Sequence, residues 1–223
     1  TIKPMLVKTR GIMLRFTRFG DTSIIASAFT ERNGLQSFVV KGVRSPRARV
    51  RMALFQPLTI LDLVIYQRDT ATLQHIREIR CHHPYQKIHG YPVKEAIAFF
   101  LTELLNKSLT EQSEPELMYG FLESELIRLD HAENGIEYFH LEFMLALSHQ
   151  LGFGPQFPQE IAGGRLLPDA SMNALGLLLS GKAGELSFEQ RREVLMLLTE
   201  FFRNHVENFG TMRSVEVLRD ILH

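Results

Sequence analysis

The chain has 223 residues, a single cysteine, and equal numbers of basic and acidic side chains, 25 of each. One cysteine excludes an intramolecular disulfide and a thiolate-rich zinc site, and it suits a reducing compartment. No apolar run approaches the ~18 residues of a membrane span, and the first residues lack a signal-peptide core. The sequence therefore predicts a soluble, cytoplasmic protein of one large or two modest domains, with no membrane partner.

The charge is unevenly divided along the chain. Residues 1–83 hold 14 basic and 5 acidic side chains, a formal charge of +9. Residues 84–223 hold the remaining 11 basic and 20 acidic side chains, a formal charge of −9. An asymmetry of this kind indicates a nucleic-acid or membrane surface on the basic part.

The basic part has the pattern of an all-β unit. Extended runs separated by turn residues cover 5–16, 23–29, 35–40, 58–66 and 72–79. Gly11 interrupts the first run, where a strand can bend sharply. Five short strands with a bent first strand predict a small closed barrel of the OB type, a fold that binds single strands on one face and in the adjoining loops.

Residues 41–51, called the basic loop below, lie between the third and fourth runs and carry five cationic side chains and no acidic one. A glycine and a proline within them favour turns, so we expect an exposed connection. An extended segment would present Arg47, Arg49 and Arg51 on one face, and each guanidinium offers a planar fork of donors to phosphate oxygens. The basic loop is either a polyanion clamp or a solvated surface loop, and the charge asymmetry favours the clamp.

From residue 93 the hydrophobic period changes to 3.6, which predicts helices. Helices are expected over 93–109, 115–129, 136–151, 172–179, 188–206 and 214–222, with 156–170 irregular and Ser113 capping the second. Core positions are predicted at Ile97, Phe99, Phe100, Leu101, Leu104, Leu105, Phe121, Leu122, Phe139 and Phe143. The predicted fold is thus α+β and multidomain, with an OB-type barrel over 1–82 and an all-α helical bundle over 83–223.

Two further kinds of site, a metal site and a catalytic site, have little support in the sequence. His82, His83 and His89 lie near Cys81, but neighbouring histidines in a strand or linker point apart, so an interdomain linker is favoured over a metal site. The sequence has no glycine-rich phosphate loop, no His-Glu-x-x-His and no nucleophile elbow. We therefore predict no metal, no cofactor and no catalytic residues.

Aromatic residues accompany the cations of the β part, at Phe16, Phe19, Phe38, Phe55 and Tyr66. Such side chains can stack on bases, as in proteins that bind single strands. Phenylalanine at strand positions is more often part of the core, so one or two of the five are expected to serve in stacking.

Short motifs in both parts resemble the RecO family of bacterial recombination mediators. In the β part they are Lys8-Thr9-Arg10-Gly11-Ile12, Phe29-Thr30-Glu31 with Gly34, and Lys41-Gly42-Val43-Arg44 running on to Leu54-Phe55-Gln56-Pro57. In the helical part they are Gly152-Phe153-Gly154-Pro155 and Met212-Arg213-Ser214-Val215-Glu216-Val217-Leu218. The resemblance implies an OB domain followed by a helical domain, with DNA binding, strand annealing and no bond chemistry.

The resemblance also implies partners and contact residues. The partners are single- and double-stranded DNA, RecR, the acidic C-terminal tail of single-stranded-DNA-binding protein and, indirectly, RecA, in association with the nucleoid. The DNA-contact candidates by position are Lys8, Arg10, Lys41, Arg44, Arg47, Arg49 and Arg51. Lys94, Lys107 and Arg128 are the candidates for binding the acidic tail.

Two departures from the family pattern are visible. Many relatives carry a four-cysteine zinc site in the helical part, which one cysteine excludes here, and many have a serine in the basic loop where this chain has Ala48. The alternative interpretation is a non-catalytic OB–helix adaptor whose cations bind an acidic protein.

Overall fold

The computed structural model describes residues 5–45, 50–68, 71–110 and 114–221. These residues form two compact units, one drawn from 1–86 and 109–127 and the other from 87–108 and 128–223. The predicted class, an OB-type β unit with a helical region, is confirmed. The predicted division after residue 82 stays a prediction.

The first unit contains the β-strands. They are β1 (Met5–Phe19), β2 (Ser23–Thr30), β3 (Gly34–Val40), β4 (Ile60–Gln67) and β5 (Leu73–His83). Within the described residues these five strands close into a barrel in the order β1-β2-β3-β5-β4, with β3 and β5 parallel and the other pairs antiparallel. The shortest of these pairings joins β3 to β5, over Ser37–Val39 and Leu73–His75.

Strand β1 pairs with both of its neighbours in turn. Residues 5–12 pair with β4 and residues 11–19 pair with β2, so the change of partner falls at Gly11. A Cβ atom at Gly11 would lie 2.9 Å from Cδ1 of Leu63, closer than side chains normally approach. The strand therefore continues through Gly11 and turns the corner of the barrel there.

Alternate residues of the strands fill the barrel interior, because successive side chains of a strand point to opposite faces. The buried side chains include Val7, Met13, Ile24, Ala26, Ala28, Phe38, Leu61, Leu63 and Ile65. The same core also receives Val43, from within the basic loop, and Phe55, which follows it.

Helices make up the second unit and the remainder of the first. They are α1 (Pro92–Ser108), α2 (Pro115–His131), α3 (Phe139–Gln150), α4 (Pro158–Ala162), α5 (Asp169–Leu179), α6 (Phe188–His205) and α7 (Ser214–Ile221). Within the second unit α1 packs on α7, and α6 packs on α3, α4 and α5. None of the described helices has the length and apolarity needed to cross a membrane.

Two predictions about the helical part need correction, one about its core and one about its secondary structure. Phe99 is 53% exposed, because Ile97, Phe100 and Leu101 take the buried stripe of α1 and leave the intervening position on the opposite side. The helix α4 lies within 156–170, a stretch predicted to be irregular. The predicted cap at Ser113 falls outside the described residues.

Candidate nucleic-acid interface

Both ends of the basic loop are fixed to the barrel. Val43, near the start of the loop, is 4% exposed, and Phe55, which follows the loop, is fully buried, so both side chains are part of the barrel core. The backbone N–H of Arg44 donates to the carbonyl of Thr22 at 2.9 Å, and Nη1 of Arg44 donates to the carbonyl of Gly20 at 3.2 Å. The start of the loop is therefore held against the turn between β1 and β2.

Three of the predicted contact residues of the loop, Lys41, Arg44 and Arg51, are among the described residues. Lys41 and Arg51 are exposed and Arg44 is half-buried. None of these three forms an ion pair with another described residue. Arg47 and Arg49 lie outside the described residues, so their predicted role stays a prediction.

Two cations near this loop were missed by the sequence reasoning, Arg15 and Arg18 of β1. Both are exposed, and neither forms an ion pair within the described part of the chain. Arg18 is opposite Ile24 in the β1–β2 register, and Ile24 is opposite Val40, the residue before the basic loop. The end of β1 and the start of the loop are thus two strands apart at the same end of the barrel.

A signal for these cations was present in the sequence. Each lies within five residues of the predicted turn at Phe19-Gly20-Asp21, and hairpin pairing brings that turn to the end of the barrel where the third strand leaves. They do not belong to a dense run of charge, because uncharged residues separate them.

Arg10 occupies a different environment from the other predicted contacts. Its Nη2 lies 2.6 Å from Oε1 of Glu31, and its Nη1 lies 2.7 Å from Oε2 of Glu123 in α2. The guanidinium carbon lies 5.0 Å from the centre of the Tyr119 ring. We call this group, Arg10 with Glu31, Glu123 and Tyr119, the arginine clamp.

In the arginine clamp the charge of Arg10 is balanced by the carboxylates of Glu31 and Glu123. The hydrogen bond from Arg10 holds the pKa of the Glu31 carboxyl below its usual value, and the same bond raises the pKa of Arg10. Burial raises the pKa of the Tyr119 hydroxyl, which donates to Oε1 of Glu123 at 3.0 Å. Two carboxylates already neutralise Arg10, which favours a structural role, and its predicted contact with DNA stays a prediction.

Lys8 lies beside the clamp on the outer face of the barrel. It is exposed, forms no ion pair within the described residues, and lines a cleft of about 510 Å³ together with Arg32 and Arg80. Asp62 and Glu78 line the same cleft. This face therefore has mixed charge, unlike the end of the barrel that carries the basic loop.

Lys94 does not present its charge to a partner. The residue is 2% exposed, and its Nζ donates to the backbone carbonyl of Asp130 at 2.6 Å. Burial lowers the pKa of Lys94. A partner carboxylate would have to enter the core of the helical unit to reach Lys94, so its burial does not favour the predicted contact with an acidic tail, which stays a prediction.

The other two tail candidates are engaged locally. Nζ of Lys107 donates to the carbonyl of Phe209 at 2.8 Å, and Arg128 lies 3.1 Å from a carboxylate oxygen of Glu142, over the ring of Phe139. Lys94 and Lys107 lie at opposite ends of α1, roughly 20 Å apart at 1.5 Å per residue. The structure thus does not bring the three residues into one site.

The five aromatic residues of the barrel separate clearly by exposure. Phe38 and Phe55 are fully buried, and Phe16 packs against the core. Phe19 is 52% exposed and Tyr66 is 37% exposed. Two of the five are therefore available at the surface.

Taken by fold and charge, the chain is an OB-type barrel protein with a cationic loop at one end of the barrel and an attached helical unit. Comparison with known families agrees with this architecture. Residues 5–85 match the family described as Recombination protein O N terminal, and residues 92–183 match Recombination protein O C terminal.

Several known proteins are similar over nearly their whole length. The chain is 31% identical over 236 residues to the DNA repair protein RecO of Flavobacterium johnsoniae, with 97% of this chain and 99% of the relative covered. It is 30% identical over 244 residues to the DNA repair protein RecO of Bacteroides fragilis, with the same coverage. The chain belongs to the RecO family, and the resemblance drawn from its motifs is confirmed.

Proposed function

We propose that this protein is a DNA-binding recombination mediator whose barrel binds DNA through the basic loop and the end of β1. The observation that carries the proposal is the fixed arrangement of cations at that end. Lys41, Arg44 and Arg18 lie at the same end of the barrel, and neither they nor Arg51 has a carboxylate partner among the described residues. Phosphates are the natural counter-charge for such a group.

The expected contacts are to the backbone of DNA. Arginine binds phosphate through two parallel hydrogen bonds, and phosphate contacts position a strand without reading its sequence. The same cations can therefore serve single and double strands. Binding two complementary strands along one cationic surface reduces their mutual repulsion, which supports the annealing of those strands.

The finer mediator role rests on family membership. We propose that the protein acts with RecR, binds the acidic tail of single-stranded-DNA-binding protein and helps to load RecA onto coated DNA, without catalysing bond chemistry. For the tail, Arg128 is the more accessible candidate, because its pair with Glu142 is exposed and exposed pairs contribute little energy.

The second candidate function is an adaptor that binds an acidic protein. The same unpaired cations favour it, since a run of carboxylates offers the same sign of charge as a run of phosphates. The two functions differ in the number of counterions that are released on binding. DNA releases the counterions condensed on it, whereas a short acidic peptide releases far fewer.

The test is a fluorescence titration of the full chain with labelled single-stranded DNA at two salt concentrations. A polyglutamate peptide of equal charge serves as the competitor. Tight binding of DNA that weakens steeply with salt and resists the peptide is expected. Binding of the peptide in preference to DNA would favour the adaptor.

Annealing is measured separately, by following fluorescence as two complementary labelled strands pair with and without the protein. Acceleration by the protein is expected, and it should disappear at the salt concentration that abolishes binding. Binding without acceleration would leave a DNA-binding protein that is not an annealing protein.

A further inference from the structure

Phe19 is an exposed aromatic residue at the end of β1. It pairs with Ser23 across the β1–β2 hairpin, and its side chain is 52% exposed. Because side chains alternate along a strand, Phe19 shares the outer face of the barrel with Thr17 and Arg15, which are also exposed. The barrel leaves this ring uncovered while burying Phe38 and Phe55 completely.

Three cations lie in the same hairpin region as this ring. Arg15 lies on the same face of β1, about 13 Å away along the strand, and Arg18 precedes the ring in the chain but points to the opposite face. Arg44 of the basic loop donates to the carbonyl of Gly20, the residue after the ring. Asp21 is the one carboxylate in the turn, so the local charge is strongly positive.

An exposed apolar ring on a hairpin that also carries guanidinium groups without ion pairs fits a single nucleic-acid strand. A base can lie on the ring while the neighbouring phosphates meet the arginines. In a duplex the bases stack on one another and cannot cover the ring. An apolar protein partner would gain from the ring but would leave the surrounding cations desolvated and unpaired.

An exposed aromatic residue of the helical unit supplies a control. Phe99 of α1 is 53% exposed, against 52% for Phe19. The residues three and four positions away on its side of the helix are Glu95, Ala96, Thr102 and Glu103, none of which is cationic. Phe99 therefore has an equally exposed ring without cations on the same side of its helix, which makes it the matched control.

We propose that Phe19 stacks on a base of single-stranded DNA and so adds a contact that duplex DNA does not make. This proposal rests on the DNA binding proposed above. It assigns separate tasks to neighbouring residues, since the arginines hold phosphates of either form of DNA and the ring acts on unpaired bases.

The first test compares Phe19→Ala and Phe99→Ala in the full chain, with single-stranded and duplex DNA of the same length. For Phe19→Ala we expect the single-strand affinity to fall by roughly tenfold or more, with duplex affinity and the salt dependence unchanged. For Phe99→Ala we expect no change in either affinity. Phe19→Leu, which keeps an apolar side chain without the aromatic face, is expected to lose affinity as the alanine variant does.

Each other outcome has a definite meaning. Wild-type protein that binds neither form of DNA would overturn both this proposal and the proposed function. Wild-type binding that Phe19→Ala leaves unchanged, or reduces equally for both forms, would overturn the stacking role alone. Affinity fully retained by Phe19→Leu would also overturn it, because burial of any apolar side chain would then suffice.

A second test is direct because the chain contains no tryptophan. In Phe19→Trp the new indole is the single tryptophan, and stacking on a base quenches its fluorescence. Single-stranded DNA is expected to quench the signal at saturation and duplex DNA to leave it unchanged. A fluorescence signal that does not change while labelled single strands are bound would contradict the proposal.

Discussion

The two halves of β1 use arginine for opposite purposes. Arg10, in the half that pairs with β4, is held by two carboxylates, Glu31 and Glu123. Arg15 and Arg18, in the half that pairs with β2, have no ion pair within the described residues. The same residue type on the same strand is thus structural in one half and available for binding in the other.

The strand pairing explains the difference. In the first half Arg10 is opposite Asp62 of β4, and the loop after β2 adds Glu31. In the second half Arg15 and Arg18 are opposite Ser27 and Ile24, which offer no charge. A phosphate approaching Arg10 has to displace carboxylates that are partly buried with it, whereas a phosphate approaching Arg15 or Arg18 has only water to displace.

The largest expected effect is on stability, in Arg10→Met. Removing the guanidinium leaves Glu31 and Glu123, which are 28% and 15% exposed, without their cation. We expect the free energy of unfolding of the barrel to fall by about 2 kcal/mol, below the range for a fully buried pair because Arg10 is itself a third exposed. Arg15→Met is the matched control, with an expected change within about 0.5 kcal/mol.

Urea unfolding of the two variants measures this difference. Adding Glu31→Gln and Glu123→Gln to Arg10→Met should restore part of the lost stability, since the unpaired charges are then removed. Equal losses in Arg10→Met and Arg15→Met would show that the two halves of the strand are not distinct.

The next effect is on binding, and here Arg15 and Arg18 are expected to matter whereas Arg10 is not. Replacing Arg15 and Arg18 together with methionine should reduce the log–log salt slope for single strands by roughly 1.4, at about 0.7 per phosphate contact. Arg10→Met, at a temperature where it is folded, should leave that slope unchanged. The measurement is a titration of labelled single strands at several salt concentrations, and a lower slope in Arg10→Met would restore Arg10 to the interface.

The smallest effect is the pH dependence of the stability that the arginine clamp contributes. The pKa of Glu31 lies below its usual 4.5 in the folded protein, so its contribution is complete above that value and is lost as the pH falls through the lowered pKa. The stability difference between wild type and Arg10→Met should therefore shrink below about pH 4.5. Unfolding curves of both proteins down the acid range check this, and a difference independent of pH would contradict it.

The buried histidine His140 also makes the free energy of unfolding fall at acid pH. Its effect is the same in wild type and in Arg10→Met, so it cancels in the difference between them. Burial lowers the pKa of His140 to about 3 from 6.5, so the unfolded chain takes up a proton in that interval that the folded chain does not. Stability thus falls as the pH drops from 6.5 towards 3 in both proteins. His140→Leu should reduce this common slope without altering the difference between wild type and Arg10→Met.

Much of the fold could be predicted from local pattern. The strands follow from runs of β-branched and aliphatic residues between turns, and the buried stripe of α1 follows from its period. The grouping of 109–127 with the barrel could not, because Arg10 and Glu123 are 113 residues apart. No local signal reports which carboxylate will meet a given arginine.

The candidate site shows the same limit. A dense run of charge identified the basic loop, but it gave no account of which cations the fold would neutralise. Lys94 illustrates this, since it lies on the buried side of α1 three residues before Ile97 and seven before Leu101. That spacing was readable in the sequence, whereas the neutralisation of Arg10 required the tertiary structure.

The central claim is that the basic loop at the end of the barrel binds phosphate. The most direct test is the salt dependence of single-strand binding by Arg47→Ala/Arg49→Ala/Arg51→Ala, beside a triple variant of equal charge in the helical unit, Arg165→Ala/Lys182→Ala/Arg203→Ala. If all three loop arginines contact phosphate, the slope of the loop variant should fall by about two units, at about 0.7 per phosphate, while the control keeps the wild-type slope. Full affinity and an unchanged slope in a folded loop variant would contradict the claim and leave the loop as a solvated connection.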